Sequence, residues 1–386
     1  MQHEKQVALI RSLHEHIDRS ETCLSEDVTR IPVQTYTSAS RLAAERDVLF
    51  GAYPLVMALS HELPEPGTFI THDRAGVPVL VARGADGAAR AFLNVCRHRG
   101  AKVATQASGC VRKLFSCPYH GWSYGLDGAL IHIPNEAAFT GVDKACHGLK
   151  ALPTVERHGM VWVSLNADAK PYVAGFLGDL DSELAAYELP AYHLYETRII
   201  EQPFNWKIAI DTFLEPYHFG LLHRNSIAPL FIHDMCLVDN FGPHIREVFP
   251  RKSVELLRDR PHSEWNLPEH SAIVYVLFPN TVWVMQIDHV ELWRIYPDAN
   301  DPARCSMTMD FLIPEPAASD EAREHWRKNM DLLMMTVLDE DFPTGATIQQ
   351  GLASGAQTHL TFGRNEPALA YFENTVAAHV RAEVAE

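Results

Sequence analysis

A chain of 386 residues with 47% hydrophobic and 21% charged side chains has the make-up of a globular protein, and it is long enough for two separately cored domains. Its formal charge of −16 argues against polyanionic partners, nucleic acid and anionic membrane surfaces alike. No apolar run approaches the roughly 20 residues of a membrane span. The charged, amphipathic start MQHEKQVALIRSLHEHIDRS has no signal-peptide core, so a cytoplasmic protein is expected.

Residues 3–30 read as a helix, with Val7, Ile10, Leu13 and Ile17 recurring at three and four. Residues 39–62 read as a second helical stretch that ends in a strand, broken around Gly51 and Pro54. From Gly67 the period changes. Short β runs at 68–72, 78–83 and 89–94 are separated by the turn formers RAG and GADG, and more follow at 113–116, 122–124 and 160–165. A small antiparallel β domain over 40–165 follows, with residues 1–39 as a helical segment ahead of it. The polar stretch 166–172 reads as a linker.

Beyond it, 173–187 is helical in character, 192–201 strand-like and 204–222 helical. Residues 225–265 have no clear period and read as a lid, a binding loop or disorder. Strands at 272–278, 281–287, 290–296 and 304–313 precede a long helix at 321–338. Strands followed by a long helix predict an α+β domain over 166–386, with a curved antiparallel sheet wrapping a helix.

The β domain contains VCRHRG and SCPYHGW, and in them Cys96, His98, Cys117 and His120. These are two Cys-His pairs, each in a turn-rich segment, separated by the spacer 99–116. Zinc accepts two thiolates and two imidazoles, but zinc sites usually pair Cys with Cys and His with His. Two mixed pairs suit a [2Fe–2S] cluster with one iron on two thiolates and the other on two imidazoles. With Arg97, Arg99, Gly100, Pro118, Tyr119, Gly121 and Trp122 around the pairs, the stretch resembles the Rieske signature. The other cysteines (Cys23, Cys110, Cys146, Cys236, Cys305) lack framework spacing and are expected to be reduced, buried thiols, Cys110 as a packing residue.

In the second domain, NWKIAIDTFLEPYHFGLLH holds His218 and His223, with Glu215 three residues before the first histidine and Asp211 four before that. Alone, this spacing is weak evidence in a chain with 21 histidines. Asp341 lies far downstream in VLDEDFPTGATIQQGL. Two imidazoles and a carboxylate are the facial triad of non-haem Fe(II) oxygenases. Asn205-Trp206-Lys207, the Glu215/His218/His223 array and Glu340-Asp341 followed by Gln349 and Gly351-Leu352 stand in the order of a known family's motifs. The chain resembles the catalytic α subunit of the Rieske non-haem iron oxygenases, which include aromatic-ring dioxygenases and oxidative demethylases.

The resemblance implies a Rieske β domain carrying the cluster on Cys96, His98, Cys117 and His120, and a helix-grip catalytic domain. It implies mononuclear Fe(II) on His218, His223 and Asp341, with residues 1–39 packed on the catalytic domain. Glu215 stands where the family has the acidic residue linking the two metal centres. In a head-to-tail homotrimer, electrons would pass from His120 of one subunit through Glu215 to His218 of the next. A β subunit is compatible with this. Asp211 is expected to fix the tautomer of an iron histidine, or else to pack or cap.

Glu rather than Asp at the linking position, and a segment before His218 one residue shorter than in ring dioxygenases, resemble the shorter, often homotrimeric members, among them quaternary-amine oxygenases. The expected activity is O2-dependent hydroxylation, mono- or cis-di-, or oxidative demethylation of a small organic molecule. No flavin or nicotinamide fingerprint is present, so a separate ferredoxin or reductase is implied. A rival reading is an electron carrier whose second domain only binds a ligand and holds no iron. Phe213, Met235, Val238, Phe241, Val276, Phe278 and Met285 are candidate pocket residues. Arg224 and His233 aside, no basic cluster flanks the motif, so an apolar aromatic or alicyclic substrate is expected.

Overall fold

The computed structural model describes residues 1–170 and 172–384; Pro171, in the expected linker, lies outside the described residues. The chain forms two units, one of Arg46–Phe176 and one of Met1–Glu45 with Leu177–Glu386. Among the described residues no helix is long and apolar enough to cross a membrane.

Arg46–Phe176 is built from three antiparallel sheets. Its largest has five strands in the order Ala151–Leu152, Ala89–Leu93, Val79–Arg83, Thr68–His72 and Ser108–Cys110. A second joins Thr154–Arg157, Met160–Val163 and Leu55–Leu59, and a third is the meander Leu114–Ser116, Ser123–Gly125 and Leu130–His132. Phe69, Leu80, Phe92, Phe115, Trp122 and Tyr124 fill the core, and Cys96 and Cys117 are part of it. Two loops end in matching turns. Gly100 N–H donates to the Cys96 carbonyl and Gly121 N–H to that of Cys117, each at 2.9 Å. Both glycines have positive φ, +81° and +73°, a conformation that disfavours a side chain.

Buried Arg83 ties two of these sheets together. Its Nη1 and Nη2 donate to Glu156 at 2.5 and 2.9 Å, and its Nε donates to the Leu63 carbonyl. The guanidinium's bonds hold Glu156 below the usual carboxylate range, against the opposing effect of burial. A depressed carboxylate contributes stability in full above its unfolded pKa, about 4.3, and loses it as pH falls through the folded value. Glu156→Gln is therefore expected to lower the melting temperature at pH 7, with the gap to wild type closing in acid. A gap independent of pH would refute the linkage.

The second unit carries a seven-stranded antiparallel sheet in the order His193–Gln202, Cys305–Ile313, Val290–Pro297, Thr281–Met285, Ser271–Leu277, His244–Pro250 and Leu237–Phe241. The helix Trp206–Asp211 packs on Val290–Pro297 and the helix Pro367–Val384 on His244–Pro250, which meets the α+β expectation. Ser319 caps the helix Asp320–Met334, its Oγ accepting from the Ala322 N–H. The next turn, Met335–Asp341, is π-helical before Phe342–Ala353 resumes the α pitch.

Several expectations change. The first helix is His3–Arg19 and ends at Ser20 in the left-handed region; Thr29–Pro32 is instead a strand paired with His359–Phe362. The segment 225–265 contains the last two strands of the large sheet, Leu237–Phe241 at its edge and His244–Pro250 beside it in the interior. Every residue of His244–Pro250 is buried, polar ones included, so no alternation marked it. The helical reading of 204–222 shrinks to Trp206–Asp211 and a short turn at Tyr217–Gly220. Cys110 and Cys146 are exposed and Cys23 is half-buried, not buried thiols; Cys110 is exposed because its short strand Ser108–Cys110 lies at a sheet edge.

Candidate functional site

On the first unit, the two matching turns bring four side chains together. Cys96 and Cys117 are buried, and burial, followed by the neighbouring Cys96, raises the Cys117 thiol. The His98 and His120 rings lie 4.7 Å apart, and His98 stacks on Trp122 at 5.0 Å. Tyr124 Oη lies 3.3 Å from Cys96 Sγ and accepts from the Arg97 N–H. His98 Nδ1 is buried with no hydrogen-bond partner among the described residues. An orphaned imidazole nitrogen beside two buried thiols is costly unless an acceptor of electron pairs sits between them. The donor set, two sulfurs and two nitrogens, fits a mixed-ligand iron–sulfur cluster.

On the second unit, the short turn Tyr217–Gly220 carries His218, and His223 follows it, its N–H donating to the Phe219 carbonyl. Asp341 closes the π-helical turn, whose wider pitch sets its carboxylate against the histidines. His218 Nε2 and His223 Nε2 are 3.1 Å apart. Asp341 Oδ1 lies 3.0 Å from His223 Nε2 and 3.5 Å from His218 Nε2. It is buried and receives no well-aligned hydrogen bond.

The far side of each ring is fixed. Glu215 binds His218 Nδ1 and accepts the His218 backbone N–H at 3.0 Å. Glu340 lies 2.6 Å from His223 Nδ1 and accepts from Ser226 Oγ. Each carboxylate holds a proton on Nδ1 and so leaves an Nε2 lone pair facing Asp341. Burial opposes a charge on His223, but Asp341 and then Glu340 outweigh it and raise its pKa. The same carboxylates favour a cation among the three donors. Bonds of about 2.1 Å at right angles separate ligand atoms by about 3 Å, close to the spacing found. The set fits a facially bound metal ion.

Of its two expected roles, Asp211 takes the packed one. It touches neither ring, because Glu215 and Glu340 occupy both Nδ1 positions. Tyr36 Oη lies 2.8 Å from Asp211 Oδ2 and 2.8 Å from Glu373 Oε1. A single hydroxyl proton cannot serve both, so one carboxyl is protonated. This agrees with burial, which raises Glu373 to about 7 and Asp211 well above its usual range. Sequence reasoning missed Glu340 as the partner of His223; its adjacency to Asp341 was the available signal.

The three donors open onto a cavity of about 200 Å³, room for roughly a dozen waters. Phe213, Phe219, Phe231 and Phe249 form much of its apolar wall. Of the expected pocket residues, only Phe213 lines it among the described residues. Met285 alternates away from Val284, Val276 lies further along its strand than Val274, and Phe278 follows the strand's end at Leu277. Arg224 and His233 are exposed and do not reach it. Arg251, Gln286, His289 and Glu291 do line it, polar residues that were not among the expected pocket residues.

Known proteins share both units. The family model for the ring hydroxylating alpha subunit (catalytic domain) matches residues 189–382, and that for the Rieske [2Fe-2S] domain matches 54–154. The glycine betaine monooxygenase oxygenase subunit of Chromohalobacter salexigens is 37% identical over 223 residues, covering 58% of this chain and 49% of that protein. The large oxygenase component of a Ralstonia naphthalene 1,2-dioxygenase system is 36% identical over 182 residues, 44% of this chain and 39% of its own. The chain thus spans about half the length of the curated relatives it matches. The quaternary ammonium Rieske monooxygenase CntA, solved with L-carnitine, superposes with a TM-score of 0.78 at 22% identity, over 92% of this chain and 96% of its own. Domains of these two kinds hold a Rieske [2Fe–2S] cluster and a mononuclear iron. With the catalytic-domain model covering half its length, the chain belongs to the Rieske non-haem iron oxygenases.

Proposed function

We propose that this chain is the terminal oxygenase component that takes electrons from a separate ferredoxin or reductase and uses O2 to hydroxylate or oxidatively demethylate a small organic molecule. The observation that carries the reading is the triangle of His218, His223 and Asp341 facing a cavity with a phenylalanine-rich wall. Bound there, iron supplies open coordination positions, and a cluster on Cys96, His98, Cys117 and His120 supplies electrons singly. The chain's own residues do the rest. Glu215 and Glu340 hold the Nδ1 protons that orient both rings, and the phenylalanine wall keeps bulk water from the reacting centre.

Monooxygenation or demethylation is the finer reading. It is supported by Glu at position 215, by the short segment before His218 and by the relatives that act on glycine betaine and carnitine. Quaternary ammonium compounds are therefore the first substrates to try. Electron transfer runs between subunits of a homotrimer, from His120 to the next subunit's Glu215 and His218. That reading is supported by the inter-subunit transfer described for CntA.

One experiment tests both parts. Holoenzyme with a reductase and 18O2 is expected to place one labelled atom in a hydroxylated product, or to release formaldehyde and leave the demethylated product unlabelled; two labelled atoms in one product would mean cis-dihydroxylation. Glu215→Gln is expected to keep iron and the cluster spectrum while product formation falls about 10- to 100-fold. Full turnover by the variant would sink the role given to Glu215, and an iron-replete wild type with no product from any substrate would sink the oxygenase reading.

A further inference from the structure

The cavity wall holds a charge that the oxygenase reading does not use. Arg251 follows the strand His244–Pro250, and its side chain lines the cavity beside Phe249. It is 9% exposed and lies over the Phe231 ring at 5.1 Å. Burial lowers its pKa to about 10, against the raising effect of Glu291 and Asp288, so it remains a cation at neutral pH. Among the described residues it is the permanent cation of the lining, and no carboxylate lies within ion-pair distance of it.

Its contacts are all to neutral oxygens. Nη1 donates to the carbonyls of Ser271 at 2.5 Å and Pro268 at 3.4 Å, and Nη2 donates to Gln286 Oε1 at 2.5 Å. The Nε–H and the second Nη2–H donate to nothing among the described residues. The nearest acid is already engaged. Glu291 accepts from Gln286 Nε2 at 3.1 Å and lies 3.5 Å from His289 Nε2. His289 binds Asp288 at 2.9 Å, and Asp288 binds His325 at 2.7 Å. Gln286 thus uses its amide nitrogen on Glu291 and its oxygen on Arg251, holding the guanidinium in place without neutralising it.

A buried charge without a partner is expensive, and buried charges in proteins are normally paired. A planar guanidinium with one edge free is the shape that takes a carboxylate through two parallel bonds. We infer that Arg251 anchors a carboxylate of the substrate, so that the enzyme acts on small organic acids and presents the remainder of the molecule to the His218, His223 and Asp341 end of the same cavity. This rests on the oxygenase reading for what happens to the ligand, but not for its binding.

The test is calorimetric titration of the full-length, metal-loaded protein with monocarboxylates from propionate to benzoate, each paired with its primary amide. At least one acid is expected to bind about tenfold or more tightly than its amide. Arg251→Gln should abolish that preference, and Arg251→Lys, which keeps the charge but loses the fork, should retain part of it. Should the Arg251 variants not fold, Gln286→Leu is expected to weaken acid binding and leave amide binding unchanged. Acids and amides of equal affinity in the wild-type protein, or a preference that survives Arg251→Gln, overturn the inference. Oxygen uptake on the same panel separates the two readings. Turnover of the acids at wild-type rates by Arg251→Gln removes the anchor and leaves the oxygenase. An acid held through Arg251 but never oxygenated supports the anchor and removes the oxygenase.

Discussion

Asp341→Ala is expected to lose the mononuclear iron while the cluster's visible absorbance is unchanged, with activity falling by more than about 100-fold. The figure follows from scale. Changing a residue that merely orients a metal ligand costs about 10- to 100-fold in metal affinity or activity, and removing the ligand itself costs more. Asp341 brings the single carboxylate oxygen to the triangle, 3.0 and 3.5 Å from the two Nε2 atoms. Without it, two neutral imidazoles remain, a weak site for a hard divalent ion. Glu340→Gln should give the intermediate result, since the His223 ring would lose its ionic partner but keep its place. Iron per chain and the visible spectrum decide the matter. Iron retained by Asp341→Ala but lost by Glu340→Ala would make Glu340 the ligand.

Glu45→Ala should produce the largest loss of stability. Lys207 is fully buried, and its Nζ donates to both Glu45 oxygens at 2.9 and 3.0 Å, to the Thr35 carbonyl at 2.9 Å and to Asn205 Oδ1 at 3.1 Å. Trp206 Nε1 and Arg41 Nε donate to the same carboxylate. Removing one member of a buried pair leaves an uncompensated charge and costs about 3–5 kcal/mol. In a unit of this size that corresponds to a melting temperature lower by roughly 10 °C. Glu45→Leu combined with Lys207→Met should recover much of the loss, because the fully buried ammonium is then not stranded. A single-variant change below about 1 kcal/mol would show that Thr35 and Asn205 suffice to hold the ammonium.

The Asn205-Trp206-Lys207 motif can now be read physically. Asn205 Oδ1 caps the helix at Lys207, its amide donates to the Tyr36 and Pro302 carbonyls, and its backbone N–H reaches Gln349. The motif fastens the segment before residue 46 to the helix leading towards Glu215. In the sequence it could be matched to a family but not explained, because its partners stand more than 90 positions away.

The amino-acid sequence by itself determined the chemistry. Two Cys-His pairs and two histidines with a nearby glutamate lie in short contiguous stretches, and their order along the chain, with Asp341 far downstream, matched a known family's motifs. It also determined the short strands of the Rieske unit, whose runs are set off by clear turn formers. The tertiary structure alone decided the rest. Tyr36 takes Asp211, Glu340 takes His223, and Gln286 sets Arg251 in a cavity expected to hold an apolar substrate, each through contacts between residues remote in the chain. The interior strand His244–Pro250 was hidden for a related reason. Its polar residues find buried partners, Glu183 for Arg246 and the Phe278 N–H for His244, so the alternation that would announce a strand facing water on one side was never written into it.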